Sequence, residues 1–303
     1  MIHGPDVALG TLPLRAFPRL AVWVTTLRII PATHKFLHIG RSTVDLNLKN
    51  RVAIVTGGSR GLGRAICLGL AAEGTKVAIS YLSDPDAGID LADEATELAK
   101  VIRAGHGVKA LPVGGDVSKE ADIERLFDAT ERELGPVDVL VNNAGVWPTA
   151  FVRDMSEAEF TRVLQINLVG AFLTCRSAVR RWQAAKRPGR IVNITSQAAF
   201  HGATSGHAHY AASKAGLVSF SLSLAREVAP SGIHVNLVAP GMMRTEMARD
   251  ALTANEQRYL ERIPLGRVAD AAEVADVVVF LASDRAKYMT GATVDVTGGM
   301  LMR

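Results

Sequence analysis

From residue 51 to the C-terminus, short apolar runs alternate with longer stretches in which apolar residues recur every three or four positions. The first run, Val52-Ala-Ile-Val-Thr56, is rich in β-branched residues and contains no polar alternation, which is typical of a strand buried on both faces. The longer stretches have the periodicity of amphipathic helices. This alternation predicts an α/β fold: a doubly wound parallel sheet with helices on both faces.

The pattern also predicts where these elements lie. Strands are expected at 52–56, 76–81, 108–113, 137–141, 190–195, 233–238 and 293–296, about seven in all. Helices are expected from the glycines after residue 56 to about 73, over 84–104, 119–134 and 156–186, around residue 210 to about 229, and over 271–283. No linker, internal repeat or low-complexity segment follows residue 50. Residues 46–303 are therefore predicted to form a single domain.

Composition separates the first 45 residues from this domain. The chain has 303 residues and a net charge of +4. Residues 1–44 contain five basic side chains and one acid, so they carry the whole excess, and the rest of the chain is balanced. A balanced body has no basic footprint for DNA or RNA, so nucleic-acid binding is not expected.

The basic arm, residues 1–45, has no clear period and contains prolines at 5, 13, 18 and 31. Its apolar run, 20–27, is too short to span a membrane. Its composition suits a targeting peptide, and it suits equally well upstream sequence that is not translated in the cell. We expect the arm to be poorly ordered. Cys67 and Cys175 lie in helical patterns without paired or metal-ligand spacing, as expected of buried thiols in a cytoplasmic protein, and no metal site is expected.

A glycine-rich turn joins the first predicted strand to its helix. It reads Thr56-Gly-Gly-Ser-Arg-Gly-Leu-Gly63. Glycine lets the backbone approach a pyrophosphate, which then lies at the helix N-terminus. Many glycine turns are plain connections, but this position after the first strand favours a dinucleotide site. The residues expected to form it are Gly57, Ser59, Arg60, Gly61, Leu62 and Gly63.

The end of the second strand bears on the choice of cofactor. An NAD site usually places Asp or Glu there, against the ribose 2′-hydroxyl. Residues 80–83 contain no acid, Tyr81 is the expected contact, and Asp84 is expected to lie past it. Arg60 is suited to a 2′-phosphate, since guanidinium binds phosphate well, although it could be a solvated turn residue. We therefore expect NADP(H) rather than NAD(H).

Tyr210 and Lys214 are four residues apart in a predicted helix, so their side chains share one face. An ammonium near a phenol favours the phenolate and lowers its pKa from about 10. Such a tyrosine can act as general acid and base for a ketone or a secondary alcohol. Tyr-x3-Lys alone is common on helices, but Ser196 upstream adds a hydroxyl that could hold the substrate oxygen.

Together these motifs resemble those of the short-chain dehydrogenase/reductase family. The glycine turn, Asn142-Asn-Ala-Gly145, Ser196, Tyr210-x3-Lys214 and Pro240-Gly241 follow the family's order across 46–303. The resemblance implies a Rossmann-type fold and an NAD(P)-dependent oxidoreductase acting on CH–OH groups. It also implies a homotetramer in which the helices of 150–186 pair across one interface and the C-terminal strand lies near another.

The resemblance further implies roles for single residues. Tyr210 is the acid and base, Ser196 binds the substrate oxygen, and Lys214 lowers the phenol's pKa and holds the nicotinamide ribose. Asn167 would anchor a water that relays protons to Lys214. The remaining implied cofactor contacts are Asp116 and Val117 at the adenine, Asn143, Ala144 and Gly145 at a ribose, and Pro240, Gly241 and Thr245 at the nicotinamide. Asn142 and Asn143 could instead cap a strand, and Thr195 could be confused with Ser196.

The substrate side is expected to comprise Trp147, the segment 197–209 and a flexible lid over 242–264. Among family members the chain resembles 3-oxoacyl-carrier-protein reductases, whose acidic carrier could dock on Arg180, Arg181, Lys186 and Arg187. Ser231, where a further cation is expected, weakens this interpretation. The chain also resembles sugar dehydrogenases at Ile79-Ser-Tyr-Leu82. The leading hypothesis is reduction of a 3-oxoacyl thioester; the alternatives are a sugar or polyol dehydrogenase and a non-catalytic nucleotide sensor.

Overall fold

Seven strands form the central sheet of the computed structural model, which describes residues 44–84, 88–203 and 206–303. The predicted arm, 1–45, lies outside the described residues except for its last two. The strands are β1 Val52–Val55, β2 Lys76–Tyr81, β3 Ala110–Gly114, β4 Val139–Asn142, β5 Gly189–Ile194, β6 Ile233–Pro240 and β7 Thr293–Val296. Every neighbouring pair is parallel, in the order β7-β6-β5-β4-β1-β2-β3. The predicted fold class is confirmed.

Helices connect the strands and cover both faces of the sheet. They are α1 Gly61–Ala72, α2 Ala92–His106, α3 Glu120–Leu134, α4 Glu157–Leu164, α5 Gly170–Ala184, α6 Ala198–His201, α7 Ala208–Val228, α8 Arg249–Leu260 and α9 Ala271–Ala282. A π-helical turn, Gln165–Val169, joins α4 to α5. Within the described residues, no helix is long and apolar enough to cross a membrane.

Side chains of β1 alternate between two hydrophobic cores. Ala53 and Val55 pack with α1, α2 and α9, whereas Val52 and Ile54 pack with α3, α5 and α7. A strand that points successive side chains to opposite faces needs both faces covered, which explains its unbroken apolar sequence. The result is a three-layer arrangement around the sheet.

The chain reverses its direction of winding at β1, which pairs with β2 on one side and with β4 on the other. In doubly wound sheets, ligands bind in the crevice at the strands' carboxyl ends at such a point. The fold therefore places the glycine turn after β1 and the Asn142-Asn-Ala-Gly145 segment after β4 next to each other.

Two segments differ from the sequence-based expectation. The helix expected over 84–104 begins only at Ala92, and Ser83–Asp84 pairs antiparallel with Ile89–Asp90. The expected flexible lid, 242–264, contains a short strand, Met243–Arg244, followed by α8, and its flexibility stays a prediction. That strand pairs with Ala269–Asp270, which lies beyond the segment.

Candidate active site

One cavity of about 1000 Å³ runs along the carboxyl edge of the sheet. The turns after β1, β3, β4, β5 and β6 and the end of β2 all contribute to its wall. It is lined by nearly all the predicted site residues, namely Gly57, Ser59, Arg60, Gly61, Leu62, Gly63, Tyr81, Asp116, Val117, Asn143, Ala144, Gly145, Trp147, Ser196, Tyr210, Lys214, Pro240, Gly241 and Thr245. Asn167 is the exception. Residues up to 188 positions apart are thus brought to one site.

The start of α1 fits an anionic group. Its N-cap, Arg60, makes no side-chain capping hydrogen bond, and its first turn contains no acid, so backbone N–H groups there are left for a ligand. Gly57 and Gly61 have φ of +61° and +53°, which favours glycine. A Cβ on Gly63 would overlap the carbonyl oxygen of Gly57 and lie 2.6 Å from Asn143 Nδ2. This close-packed cradle fits the pyrophosphate of a dinucleotide.

Asn143 holds the two turns of the cradle together. Its Nδ2 donates to the carbonyls of Thr56 and Gly57 at 3.0 and 3.1 Å, and its backbone N–H donates to Thr56 Oγ1 at 3.0 Å. Asn142 is buried beneath, where its Nδ2 donates to Asn193 Oδ1 at 2.8 Å. The side chains of both asparagines are therefore engaged in positioning the wall of the cavity.

At the far end of the cavity, the structure differs from the expectation for Asp84. Because residues 83–84 form a strand instead of entering a helix, Asp84 lines the cavity rather than lying past it. Its Oδ1 is buried and 3.7 Å from Lys119 Nζ, which offsets part of its charge. Arg60 is exposed on the same wall. The carboxylate of Asp116 is occupied by Ser118, whose backbone N–H and hydroxyl both donate at 2.8 Å.

Tyr210 and Ser196 both line the cavity, and the Ser196 side chain acts to lower the pKa of the phenol. The neighbouring hydroxyl, Thr195 Oγ1, is buried and donates to the backbone carbonyl of Lys214 at 2.9 Å. Both residues line the cavity, but the Thr195 hydroxyl is bonded to the backbone of α7, which leaves Ser196 as the hydroxyl for a ligand.

The pKa of the Tyr210 phenol is shifted in the direction opposite to the prediction. Burial raises the pKa of Tyr210, and the neighbouring Ser196 side chain opposes this only in part. Lys214 Nζ lies 5.8 Å from the centre of the phenol ring and donates to the Ile194 carbonyl at 2.8 Å. Burial lowers the pKa of Lys214 to about 8. Burial sets the direction of this shift, and Ser196 rather than Lys214 is the side chain that acts to lower the pKa, so the role expected of Lys214 stays a prediction.

Asn167 lies in the π-helical turn and does not line the cavity. Its Oδ1 accepts from Val146 N–H at 2.8 Å, and its Nδ2 donates to the Val146 carbonyl and to Ser213 Oγ. The side chain thus ties the loop after β4 to α7. Its predicted part in a water relay stays a prediction.

Trp147 forms part of the expected substrate wall. Its ring stacks on His207 with centroids 4.5 Å apart, and His207 Nδ1 is 2.9 Å from the Pro148 carbonyl oxygen. The Tyr210 ring is 6.2 Å away. Met242, Met243 and Met247 also line the cavity. The described residues contain no group of three or more His, Cys, Asp or Glu placed to hold a metal ion.

Buried polar atoms without a hydrogen-bond partner gather around this cavity. Of five such side-chain atoms in the described part of the chain, four belong to Asp84, Gln197 and His209, all of which line it. Such atoms are rare in folded proteins because each costs roughly 1–3 kcal/mol. A ligand or bound water would satisfy them. Sequence reasoning included Gln197 and His209 only within the wall segment 197–209 and missed Met300, which reaches the cavity from the C-terminal segment.

Two of the four basic residues expected to bind an acidic carrier are paired with acids. Arg181 binds three carboxylates, those of Glu124, Asp128 and Glu131, at 2.7–2.8 Å. Arg187 is paired with Asp138 at 2.8 Å. The cluster also lies at the C-terminal end of α5, just before β5 begins, and hence at the edge of the sheet opposite the cavity. These positions do not support docking near the site.

Comparisons with known proteins agree with this site. A family model described as enoyl-(acyl carrier protein) reductase matches residues 57–301. The 3-oxoacyl-(acyl-carrier-protein) reductase FabG of Aquifex aeolicus is 39% identical over 257 residues, covering 85% of this chain and 100% of that protein. The protein of the same name from Escherichia coli is 40% identical with the same coverage. A crystal structure of a short-chain type dehydrogenase/reductase from Mycobacterium marinum matches with a TM-score of 0.79 and 32% identity, over 86% of this chain and 98% of that chain.

The fold and the cavity define an oxidoreductase that uses a nicotinamide cofactor on CH–OH and keto groups. The chain belongs to the short-chain dehydrogenase/reductase family, which confirms the resemblance inferred from its motifs. The alternative of a non-catalytic nucleotide sensor is set aside.

Proposed function

We propose that this protein reduces 3-oxoacyl thioesters carried on an acidic carrier protein, with NADPH as reductant. The carrying observation is that Tyr210 and Ser196 share one cavity with a glycine turn suited to an anion. The names of full-length relatives at about 40% identity describe this reaction. The sheet establishes the fold, and the residues of the cavity carry the chemistry.

In the proposed mechanism, Tyr210 donates its phenolic proton to the keto oxygen while Ser196 donates a hydrogen bond to that oxygen. A bound nicotinamide supplies the hydride to the keto carbon. Burial raises the pKa of Tyr210 and so favours the neutral phenol, the form that can donate. The buried Lys214 ammonium would stabilise the phenolate that remains, and Asn167 would hold the loop and α7 in register.

Preference for NADPH is supported by the charges at the far end of the cavity. Arg60 is exposed on the wall at the start of α1, and β2 ends in Ser80 and Tyr81 rather than an acid. Asp84 is the opposing feature, since a carboxylate would repel a 2′-phosphate. Lys119, at 3.7 Å, offsets it. We infer that the balance favours a 2′-phosphate.

Two other substrates compete with a 3-oxoacyl thioester. The description of the family model names enoyl reduction, which adds hydride to a carbon–carbon double bond. The hydroxyls of Tyr210 and Ser196, which lie in one cavity, suit a single substrate oxygen, as in a ketone, and this favours 3-oxo reduction. A sugar would also present such an oxygen, so sugar oxidation remains an outcome of the test.

A homotetramer is part of the proposal. Large apolar side chains are exposed in two regions: Phe151, Phe160 and Phe172 in the 150–186 segment, and Phe280 and Tyr288 near the C-terminal strand. Exposed apolar clusters of this kind mark protein interfaces. Light scattering coupled to gel filtration should give four times the mass of the chain; a monomer would contradict this.

The test of the proposed function combines cofactor titration with a substrate panel. Intrinsic fluorescence, to which Trp147 contributes, should show tighter binding of NADPH than of NADH, and Arg60→Ala should narrow the difference. The panel holds a 3-oxoacyl thioester, a trans-2-enoyl thioester and a set of sugars. Reduction of the first with NADPH is expected. Preferential turnover of the enoyl thioester, or of sugars with NAD, would replace the proposal with that activity.

A further inference from the structure

The residue after Ser196 has an unusual environment. Gln197 lines the cavity beside Ser196 and Tyr210. Its Nε2 donates to the thioether sulfur of Met300 at 3.1 Å, and its Oε1 is buried without a partner. Reversing the amide would only leave the nitrogen unpaired instead. Either way the side chain is poorly satisfied, because a thioether is a weak acceptor and an amide offers two donors and an acceptor.

The backbone around Gln197 is, by contrast, fully anchored. Its N–H donates to the Pro240 carbonyl at 3.1 Å, and the Ser196 hydroxyl accepts from Ala198 N–H at 3.1 Å. A fixed backbone with an under-bonded side chain is the arrangement expected of a group that binds a ligand, since the ligand then supplies the missing hydrogen bonds.

We propose that Gln197 is a specificity-determining residue that hydrogen-bonds a second oxygen of the substrate, near the keto oxygen held by Ser196 and Tyr210. Consecutive Cα atoms are about 3.8 Å apart, so oxygens bound by neighbouring residues must lie close together in the substrate. The two carbonyl oxygens of a 3-oxoacyl thioester meet this condition. The inference rests on the proposed function and extends it: the site selects ketones with a nearby second oxygen over plain alkyl ketones.

The experiment measures kcat/KM for matched ketones with and without the second oxygen. One pair is the N-acetylcysteamine thioester of 3-oxobutanoate and an alkyl ketone of equal length; the other is hydroxyacetone and butanone. Gln197→Leu keeps the size of the side chain and removes its hydrogen bonds. It should lower kcat/KM about tenfold for the oxygenated member of each pair and leave the plain ketone within twofold.

Met300→Leu is the matched control, since it removes the only partner of the Gln197 amide in the described structure and keeps the cavity wall. If Gln197 merely ties the C-terminal segment to the site, Met300→Leu will reproduce the loss. The proposal predicts that it leaves the discrimination unchanged. Equal losses on both members of each pair, or none, would overturn the proposal.

Two further readouts keep the test decisive. Gln197→Ser, which is smaller, replaces Gln197→Leu if the latter does not fold. Failure of wild-type protein to reduce the thioester would remove the proposed function but not this inference, which the hydroxyacetone and butanone pair tests separately. Equal wild-type kcat/KM for that pair would then refute it.

Discussion

At the scale of single residues, the adjacent hydroxyls of Thr195 and Ser196 have different roles. The Thr195 hydroxyl is buried and donates to the carbonyl of Lys214, whereas Ser196 lies in the same cavity as Tyr210 and acts to lower the pKa of its phenol. The sequence alone could not assign their roles, because Thr195 and Ser196 are the first two residues after β5. Burial and hydrogen bonding do.

These roles predict that substitution of Ser196 affects the rate, whereas substitution of Thr195 affects stability. Ser196→Ala should lower kcat for ketone reduction about 10²-fold with little change in stability, since it removes a donor to the reacting oxygen. Thr195→Val should lower the free energy of unfolding by about 1 kcal/mol and largely preserve kcat. Chemical denaturation and steady-state kinetics check both. A larger kinetic loss for Thr195→Val would reverse the assignment.

The charge state of Lys214 gives a pH prediction. Burial lowers its pKa to about 8, so it is cationic below that value and loses its charge as pH rises through it. Stabilisation of the Tyr210 phenolate should vanish with the charge. The kcat/KM for ketone reduction should therefore fall above about pH 8.

Lys214→Met and Lys214→Arg serve as the comparison for this profile. The methionine variant should be slow throughout and lack the fall near pH 8. The arginine variant keeps its charge and should also lack it. A wild-type profile that is flat between pH 7 and 10 would contradict the role of the lysine charge.

At the scale of elements, the segment 242–264, expected to form a flexible lid, contains a short strand and α8. The carboxylate of Glu246, just before α8, would lie 3.3 Å from a Cβ placed on Gly61, directly over the start of α1. A carboxylate there competes with any anion for the free N–H groups of the helix. We therefore expect the Glu246 side chain to move, or to lose its charge, when a dinucleotide binds.

Glu246→Gln should accordingly lower the Kd for NADPH about two- to fivefold, because it removes repulsion at an exposed position. The gain should shrink at high salt. Glu261→Gln, an exposed acid after α8 that does not line the cavity, is the control and should change nothing. Isothermal titration calorimetry gives the Kd values, and weaker binding by Glu246→Gln would contradict this account.

Elements were predictable to different degrees for physical reasons. β2 and β7 agree with the predicted bounds to the residue, since buried parallel strands are continuous apolar runs bounded by turns. The start of α2 was misplaced because Ser83–Asp84 prefers a two-residue ladder that closes through Gly88, at φ +65°. Asp84-Pro85 and Gly88 were the local turn signals that the helical interpretation overlooked.

At the scale of the whole molecule, the alternation of strands and helices determined the fold, and the order of the strands determined where the site lies. What the sequence could not show is convergence from afar. Met300 and Arg262 reach the cavity only because β7 pairs with β6 and the residues after α8 pack against the C-terminal segment. The pairing of Arg181 with three acids of α3 was equally invisible, since those partners lie 50 or more residues away.

The cluster at the end of α5 lies opposite the cavity, and two of its four basic residues are paired with acids. We therefore expect an acidic carrier to dock at the mouth of the cavity instead. Arg162 and Arg262 are exposed there and line the cavity. Replacing both with alanine should raise KM for a carrier-bound substrate severalfold at low salt and leave KM for a small thioester unchanged. Arg180→Ala, exposed at the far edge, is the control. An effect of Arg180→Ala alone would restore the original cluster.

The measurement that tests the central claim most directly is NADPH oxidation by wild-type and Tyr210→Phe protein with a 3-oxoacyl thioester. The claim that Tyr210 protonates a keto oxygen in this cavity predicts turnover by the wild type. It also predicts a loss of about 10²–10⁴-fold in Tyr210→Phe, with NADPH binding retained. A Tyr210→Phe protein that turns over at the wild-type rate would contradict it.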